Sequence, residues 1–291
     1  AHVTLGTGDH VLTNAASLTA ITLTATGDDS SDIVLTGTTG GGTAAAALKT
    51  ITANASLAAD ITLGVITATG AALTSITANA TTSGSVVTFG DIAASSANSI
   101  TATAVSGATV DFAGDVDIAT LGTVTLSGAG TFLMDNASNG ITSVESINAS
   151  GVTGTVNVSL LAGTTTGPVI ATLGSGADTF VGGDGADIIT GGRGADSITG
   201  GAGADSIVLT ESVAAADVVI LTSEATVDTV TGFGSADQIE LDVSALNGGV
   251  LVDSTGTALA GATAAGFISY TVGSTSAANA TGSNIIFVTN T

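Results

Sequence analysis

The sequence predicts an all-β chain: a parallel β-solenoid of about 24 residues per turn, continuing into a tighter β-roll and a β-rich C-terminal cap. Three observations carry this. From Ala1 to Thr165 the chain holds a loose repeat of short alternating strands. Four nonapeptides follow in unbroken register from Leu173 to Val208. The composition denies a conventional core, with 41 glycines, no tryptophan, one tyrosine and seven phenylalanines in 291 residues. Stacked short strands around a thin Ile/Val/Leu/Ala interior suit that inventory better than a globule packed on aromatics.

The solenoid is expected over residues 1–170. Apolar anchors recur at Ile21, Ile51, Ile76, Ile100, Val124 and Ile147, at steps of 30, 25, 24, 24 and 23 along the chain. A second strand follows each anchor by roughly ten residues: DIVLTG, DITLG, SVVTFG, TVDFAG, TFLMD and TVNVSL. Two strands per repeat joined by Gly/Asn/Ser/Asp turns is the signature of a solenoid. Alternation agrees, with Ile21 and Leu23 facing in and Thr22 and Thr24 facing out. Six such turns at ~4.8 Å each make a rod of roughly 30 Å. The outward positions form two columns. One is Thr22, Thr52, Thr77, Thr101, Thr125 and Asn148; the other is Thr24, Asn54, Asn79, Thr103, Ser127 and Ser150. A uniform Thr ladder can bind ice, but the second column is mixed and reads as an ordinary solvent face. No segment has capped helical periodicity.

The roll is expected over residues 171–209. Its repeats read LGSGADTFV, GGDGADIIT, GGRGADSIT and GGAGADSIV. Aspartate returns every ninth residue at Asp178, Asp187, Asp196 and Asp205, and two places later comes a large apolar residue: Phe180, Ile189, Ile198 and Ile207. Glycines allow tight turns with positive φ, and aspartate offers a hard anionic oxygen of the kind Ca²⁺ prefers. The G-G-x-G-x-D-x-U-x pattern is that of a calcium-binding parallel β-roll. Acids also cluster at solenoid turns, at Asp28, Asp29 and Asp32 and at Asp111, Asp115 and Asp117, with Asp60 and Asp91 single. These are secondary candidates for calcium, as is Asp9 after Gly8. From residue 210 to 291 the nonapeptides cease; Ile239, Leu241 and Val243 alternate as a strand, and the region is placed as a cap over the solenoid's open end.

Charge narrows the function. Against 24 acidic residues, twenty of them Asp, stand only Lys49 and Arg193, a net charge of −22. Nothing here neutralises phosphates, so nucleic acid is excluded as a partner, and so is an anionic membrane surface. No apolar run reaches transmembrane length. With no cysteine there is no thiol chemistry, and no H-E-x-x-H or G-x-S-x-G motif is present, so no enzyme is expected. The chain opens at Ala1 and enters a repeat-like segment at once, so it is expected to be a piece of something longer.

The four nonapeptides resemble the RTX (repeats-in-toxin) proteins, which leave bacteria by type I secretion. Asp228…Phe233…Asp237-x-Ile239-x-Leu241 is similar to the segment that closes such rolls, which adds Asp228 and Asp237 as lesser metal candidates. With its Thr/Ala/Gly-rich solenoid the chain is most similar to surface-layer (S-layer) proteins of that class. The resemblance implies ions between nonapeptides n and n+2. Asp178 would then pair with Asp196 and Asp187 with Asp205, holding at least two Ca²⁺ ions. Carbonyls of Gly174, Gly176, Gly182, Gly183, Gly185, Gly191, Gly192, Gly194, Gly200, Gly201 and Gly203 would complete the shells. Leu173 departs from the pattern where glycine is expected.

The resemblance further implies export unfolded and folding by extracellular calcium on the surface of a Gram-negative-type bacterium. The expected partner is the chain itself in a lateral lattice, with a cell-surface polysaccharide as a further candidate anchor. Two alternatives remain open: the calcium-stiffened end of an adhesin or biofilm protein, and the secretion tail of an exported enzyme.

Overall fold

The computed structural model describes residues 2–5, 8–10, 18–27, 33–35, 47–134, 141–160, 167–209, 213, 215–222, 228–234, 236–242 and 267–271. Among them every regular element is a strand. The strands wind into a parallel β-solenoid, about seven turns of roughly 24 residues followed by the coils of the nonapeptide region.

Two sheets run the length of the coil. The first stacks His2–Leu5, Ala20–Thr26, Thr50–Ser56, Ile66–Ala80, Ile92–Ala104, Leu121–Gly128 and Ser146–Val152. It continues without a break through Ile170–Thr172, Ile188–Thr190, Ser206–Val208 and Thr229–Thr231. The second stacks Gly8–His10, Ile33–Leu35, Asp60–Leu63, Val86–Phe89, Thr109–Phe112, Thr131–Met134 and Val156–Ser159. Above these come Thr179–Val181, Ser197–Thr199, Val218–Leu221 and Gln238–Asp242. Pairing is parallel throughout until Phe267–Thr271, which lies antiparallel on Gln238–Asp242 and covers that edge.

The core follows from alternation. Every second side chain of a strand faces inward, and coil-on-coil register stacks like on like. Ile21, Ile51, Ile76, Ile100, Val124 and Ile147 form one continuous inward column, as their spacing predicts. The column then passes through Ala171, Ile189 and Ile207 to Val230. Opposite it, Val158, Phe180, Ile198, Val219 and Ile239 stack in the second sheet. Lower in the same sheet, Phe89 and Phe112 fill the interior as a parallel pair with centroids 4.8 Å apart.

Turn length has a structural cause. The step from Ser75 to its partner Ser99 is longer than the step from Ile170 to its partner Ile188. The longer turns carry a short third side: Ile66 stacks on Ile92, Ile92 on Val116, and Val116 on Ile141. The nonapeptide turns lack it, and two nonapeptides close the coil.

The first outward column stacks as expected from Thr22 to Asn148, and goes on to Thr172 and Thr190. The second column departs at its end. Ser127 pairs with Gly151 rather than Ser150, because the ladder shifts register between Thr125 and Ser127. Ser150 folds back on its own strand, donating from N–H and Oγ to Asn148 Oδ1 at 3.1 and 2.7 Å. A single bulge of this kind displaces one column without disturbing the core.

An inward and an outward substitution should therefore differ sharply. Ile100→Ala is expected to lose about 2–5 kcal/mol, whereas Thr101→Ala stays within about 0.5 kcal/mol, read as urea midpoints in calcium. Equal shifts would contradict the orientation of this strand.

Candidate metal centre

Each nonapeptide is a glycine-rich turn followed by a short strand. The turns alternate between the two edges of the flattened coil. Each aspartate stands at the end of its turn and accepts a hydrogen bond from the backbone of the coil before it. Two columns result. On one edge, the N–H groups of Val156, Asp178, Asp196 and Asp217 donate to Oδ1 of Asp178, Asp196, Asp217 and Asp237 respectively, at 2.8–3.1 Å. On the other, Val169, Asp187 and Asp205 donate to Oδ1 of Asp187, Asp205 and Asp228 at 2.8–2.9 Å. Asp178 and Asp196 are thus neighbours, as are Asp187 and Asp205. In return, the backbone carbonyl of each lower aspartate accepts an N–H from the strand above, as in Ser206 to Asp187 at 2.8 Å.

The second carboxylate oxygens divide the aspartates into two kinds. Asp178 Oδ2 accepts the Gly174 N–H at 2.9 Å, and Asp237 Oδ2 accepts the Gly234 N–H at 2.6 Å. Asp187 Oδ2 and Asp205 Oδ2 are buried with no hydrogen-bond partner, in residues only 1% and 2% exposed. A buried carboxylate oxygen without a donor is costly unless a cation faces it. Burial pushes Asp187 up to about 6, only partly offset by the backbone N–H groups of Val169 and Gly183, the latter too poorly placed to count as a full hydrogen bond. Burial likewise pushes Asp205 up to about 7, with the facing carboxylates of Asp228 and Asp187 adding to the rise. Asp178 and Asp228 are also raised by burial. The protein's own cations are no remedy: the chain has two, and Arg193 stands at the variable third position of its nonapeptide.

The glycines let successive coils approach closely, with carbonyl oxygens turned toward the turns above and below. At Gly182 a Cβ would stand against the Gly200 carbonyl oxygen and 2.8 Å from Asp187 Oδ2, so two oxygens from successive coils border one small space. At Gly194, with φ 105°, a Cβ would strike the Gly176 carbonyl oxygen of the coil below. Gly203 repeats that relation with Gly185, and Gly192 and Gly201 repeat it with Gly174 and Gly183. The Gly174 and Gly183 carbonyls also accept N–H groups from Arg193 and Ala202, at 3.0 and 2.8 Å. Gly191 is different: a Cβ there would meet Ile198 and Leu209 side chains besides Asp196 Oδ2.

Among the described residues, no three His, Cys, Asp or Glu side chains converge as a metal-binding group. A shell here must draw on few carboxylates and many carbonyls. That all-oxygen donor set fits Ca²⁺ and does not fit zinc. A calcium ion would be held by Asp187 and Asp205 with glycine carbonyls, supplying positive charge between coils.

The described secondary candidates make hydrogen bonds within the solenoid. Asp91 Oδ1 accepts the Asp115 N–H at 3.1 Å, and Asp60 Oδ1 accepts the Val86 N–H at 3.0 Å; both bond one coil to the next. Asp117 Oδ1 accepts from the Thr142 hydroxyl at 3.3 Å, and Asp111 lies on the outer side of the second sheet. Asp28, Asp29 and Asp32 lie outside the described residues, as does the Asp9 side chain. The sequence reading missed Asp217, which occupies a full rung of its column. Its signal is the Asp-x-Val spacing to Val219, the same Asp-to-apolar step as in the nonapeptides, without their glycines.

A family model described as the RTX calcium-binding nonapeptide repeat matches residues 172–207 in four copies. No curated protein and no solved structure matches the chain. Nonapeptides of this family bind calcium, and proteins that carry them are typically exported and extracellular.

Two outcomes follow from the site. In the ion-free chain, the folded state keeps protons on Asp187 and Asp205 that the unfolded chain loses near the ordinary value of 3.8. Stability from this source is fully present below that value and is lost as pH rises through about 6 and 7. Chelated protein should therefore show more β-sheet circular dichroism at about pH 5 than at about pH 7.5. Calcium affinity should run the other way and weaken below about pH 6. A flat profile in both would refute the buried-carboxylate account. Separately, Gly194→Ala should raise the calcium needed for folding at least several-fold, because the residue has both positive φ and a carbonyl in the way.

Proposed function

We propose that this chain is a non-catalytic structural protein of the bacterial cell surface, folded by calcium and self-assembling into a surface layer. The observation that carries the calcium part is the partnerless buried oxygen at Asp187 and again at Asp205. Ion binding and folding are then one event, because the two halves of each site come from different coils.

The outer face of the first sheet supports the assembly part. Its outward ranks run Thr50, Ser75, Ser99, Thr123 and Ser146; Thr52, Thr77, Thr101, Thr125 and Asn148; and Asn54, Asn79, Thr103 and Ser127. None of these is charged, in a chain of net charge −22. Cross-coil hydrogen bonds tie the third rank, Asn79 Nδ2 to Asn54 Oδ1 at 2.7 Å and Thr103 to Ser127 at 3.2 Å. Farther along, Ile170 and Ile188 stack on each other, about half exposed. Such a face lets two acidic chains approach where self-repulsion is least, with calcium lowering it elsewhere. A Gram-negative-type surface and a polysaccharide anchor complete the reading.

Negative-stain microscopy of the purified chain at ~5 mM Ca²⁺, above the Kd of typical extracellular modules, tests it. Periodic sheets that disappear on chelation are expected. Dispersed rods under both conditions would overturn the surface-layer role and favour the stiffened end of an adhesin or a secretion tail.

A further inference from the structure

We propose that the outer face of the first sheet packs on the same face of a second copy, the two coils running antiparallel about a two-fold axis that lies along the Ser99 strand. The inference deepens the self-assembly reading above and rests on it. Lys49 and Glu145 are both exposed and stand on one edge of this face, directly before Thr50 and Ser146. The coils between them bring Thr74, Asn98 and Gly122 to that edge. Because Thr50, Ser75, Ser99, Thr123 and Ser146 stack in register, the cation lies two coils below Asn98 and the anion two coils above it. Within one copy they are four coils apart, ~19 Å, beyond each other's reach.

Turning a second copy over about the Ser99 strand keeps this edge in place and reverses the order of the coils. Each Lys49 then meets the partner's Glu145. A parallel pair would instead set Lys49 on Lys49 and Glu145 on Glu145, and like charges placed face to face repel. The same rotation sets Ala20, three coils below Ser99, opposite Ile170, three coils above, so the half-exposed isoleucine meets the apolar residue of its rank. Between them Thr50 meets Ser146 and Ser75 meets Thr123, all uncharged. Other sides of the coil lack this match. Asp111 and Glu240 lie on the outer side of the second sheet and Asp117 on the third side, and the chain's only other cation, Arg193, belongs to a nonapeptide. Seven coils spanning ~30 Å, with strands of ~20 Å, bury roughly 600 Å² per copy, about 1,200 Å² in all, which reaches the lower limit of a specific interface.

The chain has no cysteine, so single cysteines report the contact directly. In millimolar calcium, a short bis-maleimide should join Ser99→Cys to itself, because that position lies on the axis. Thr50→Cys and Ser146→Cys should cross-link when mixed and not when alone. Thr50→Cys joined to itself, or no link at Ser99→Cys, would overturn the arrangement. Sedimentation of charge variants is the second measurement. Lys49→Glu or Glu145→Lys alone should weaken dimerisation at least several-fold, and the double variant should recover it. Unchanged dimerisation in both single variants would refute the pairing. Ordered sheets that form without the Ser99→Cys link would leave the surface-layer reading standing and remove this contact. A wild-type chain that stays monomeric in calcium would sink both.

Discussion

A carboxylate buried at every half-turn of a coil, in a chain with almost no cations of its own, is the constraint on which this structure depends. The hydrophobic columns do not impose it; they would be satisfied by any apolar residue at the right spacing. The aspartates do impose it. Their first oxygens hold the N–H groups of the preceding coil, and those of Asp187 and Asp205 leave a second oxygen with nothing to face. The hydrogen bonds fix where the coils sit, and the leftover charge fixes what must enter between them. The same groups that set register therefore make that register dependent on an ion.

The sheets carry this dependence beyond the repeats. The first sheet passes from Ser146–Val152 to Ile170–Thr172 and on to Ile188–Thr190 with register intact, although the two nonapeptide coils, Ile170 to Ile188 and Ile188 to Ser206, are shorter. Loss of the short third side explains the shortening without any change in the two main faces. The metal-binding turns are thus laid on a template that the apolar solenoid also uses. Parallel strands gain nothing until their long connections are closed, so a solenoid end that frays exposes pairing edges. Phe267–Thr271, laid antiparallel on Gln238–Asp242, covers one such edge.

Much of this was legible in the sequence because an apolar anchor returns in every coil even where the coil length varies. The spacing of Ile21, Ile51, Ile76, Ile100, Val124 and Ile147 predicts the inward column residue for residue, since period-two alternation leaves no freedom once one face is buried. The neighbours Asp178–Asp196 and Asp187–Asp205 were implied by the resemblance to calcium rolls, and the structure has them one coil apart. What escaped were local departures. Even alternation puts Ser150 on Ser127, but a bulge depends on one side chain turning back to Asn148, which no periodicity encodes. Asp217 escaped because its turn keeps the Asp-x-Val step and drops the glycines that announce it. The partition of aspartates into closed and open ones was invisible too. It rests on whether a glycine N–H three or four residues earlier comes into full hydrogen-bond geometry with the carboxylate, as at Asp237 and Asp178 but not at Asp187.

The size of the ionic contribution shows why so short a run of repeats suffices. A site with a Kd of ~10⁻⁴ M, at the tight end of extracellular modules, stabilises the fold by about 1.4 kcal/mol at millimolar calcium, and by almost nothing at submicromolar calcium. Two or three such sites contribute a few kcal/mol, a large fraction of the ~5–15 kcal/mol that holds a typical domain folded. A thin interior of alanine and β-branched residues, with only seven phenylalanines, leaves little hydrophobic surplus to cover that share. The chain does not need strong calcium sites to be switched by calcium. It needs a fold close to balance, and buried aspartates placed so that the ion tips it.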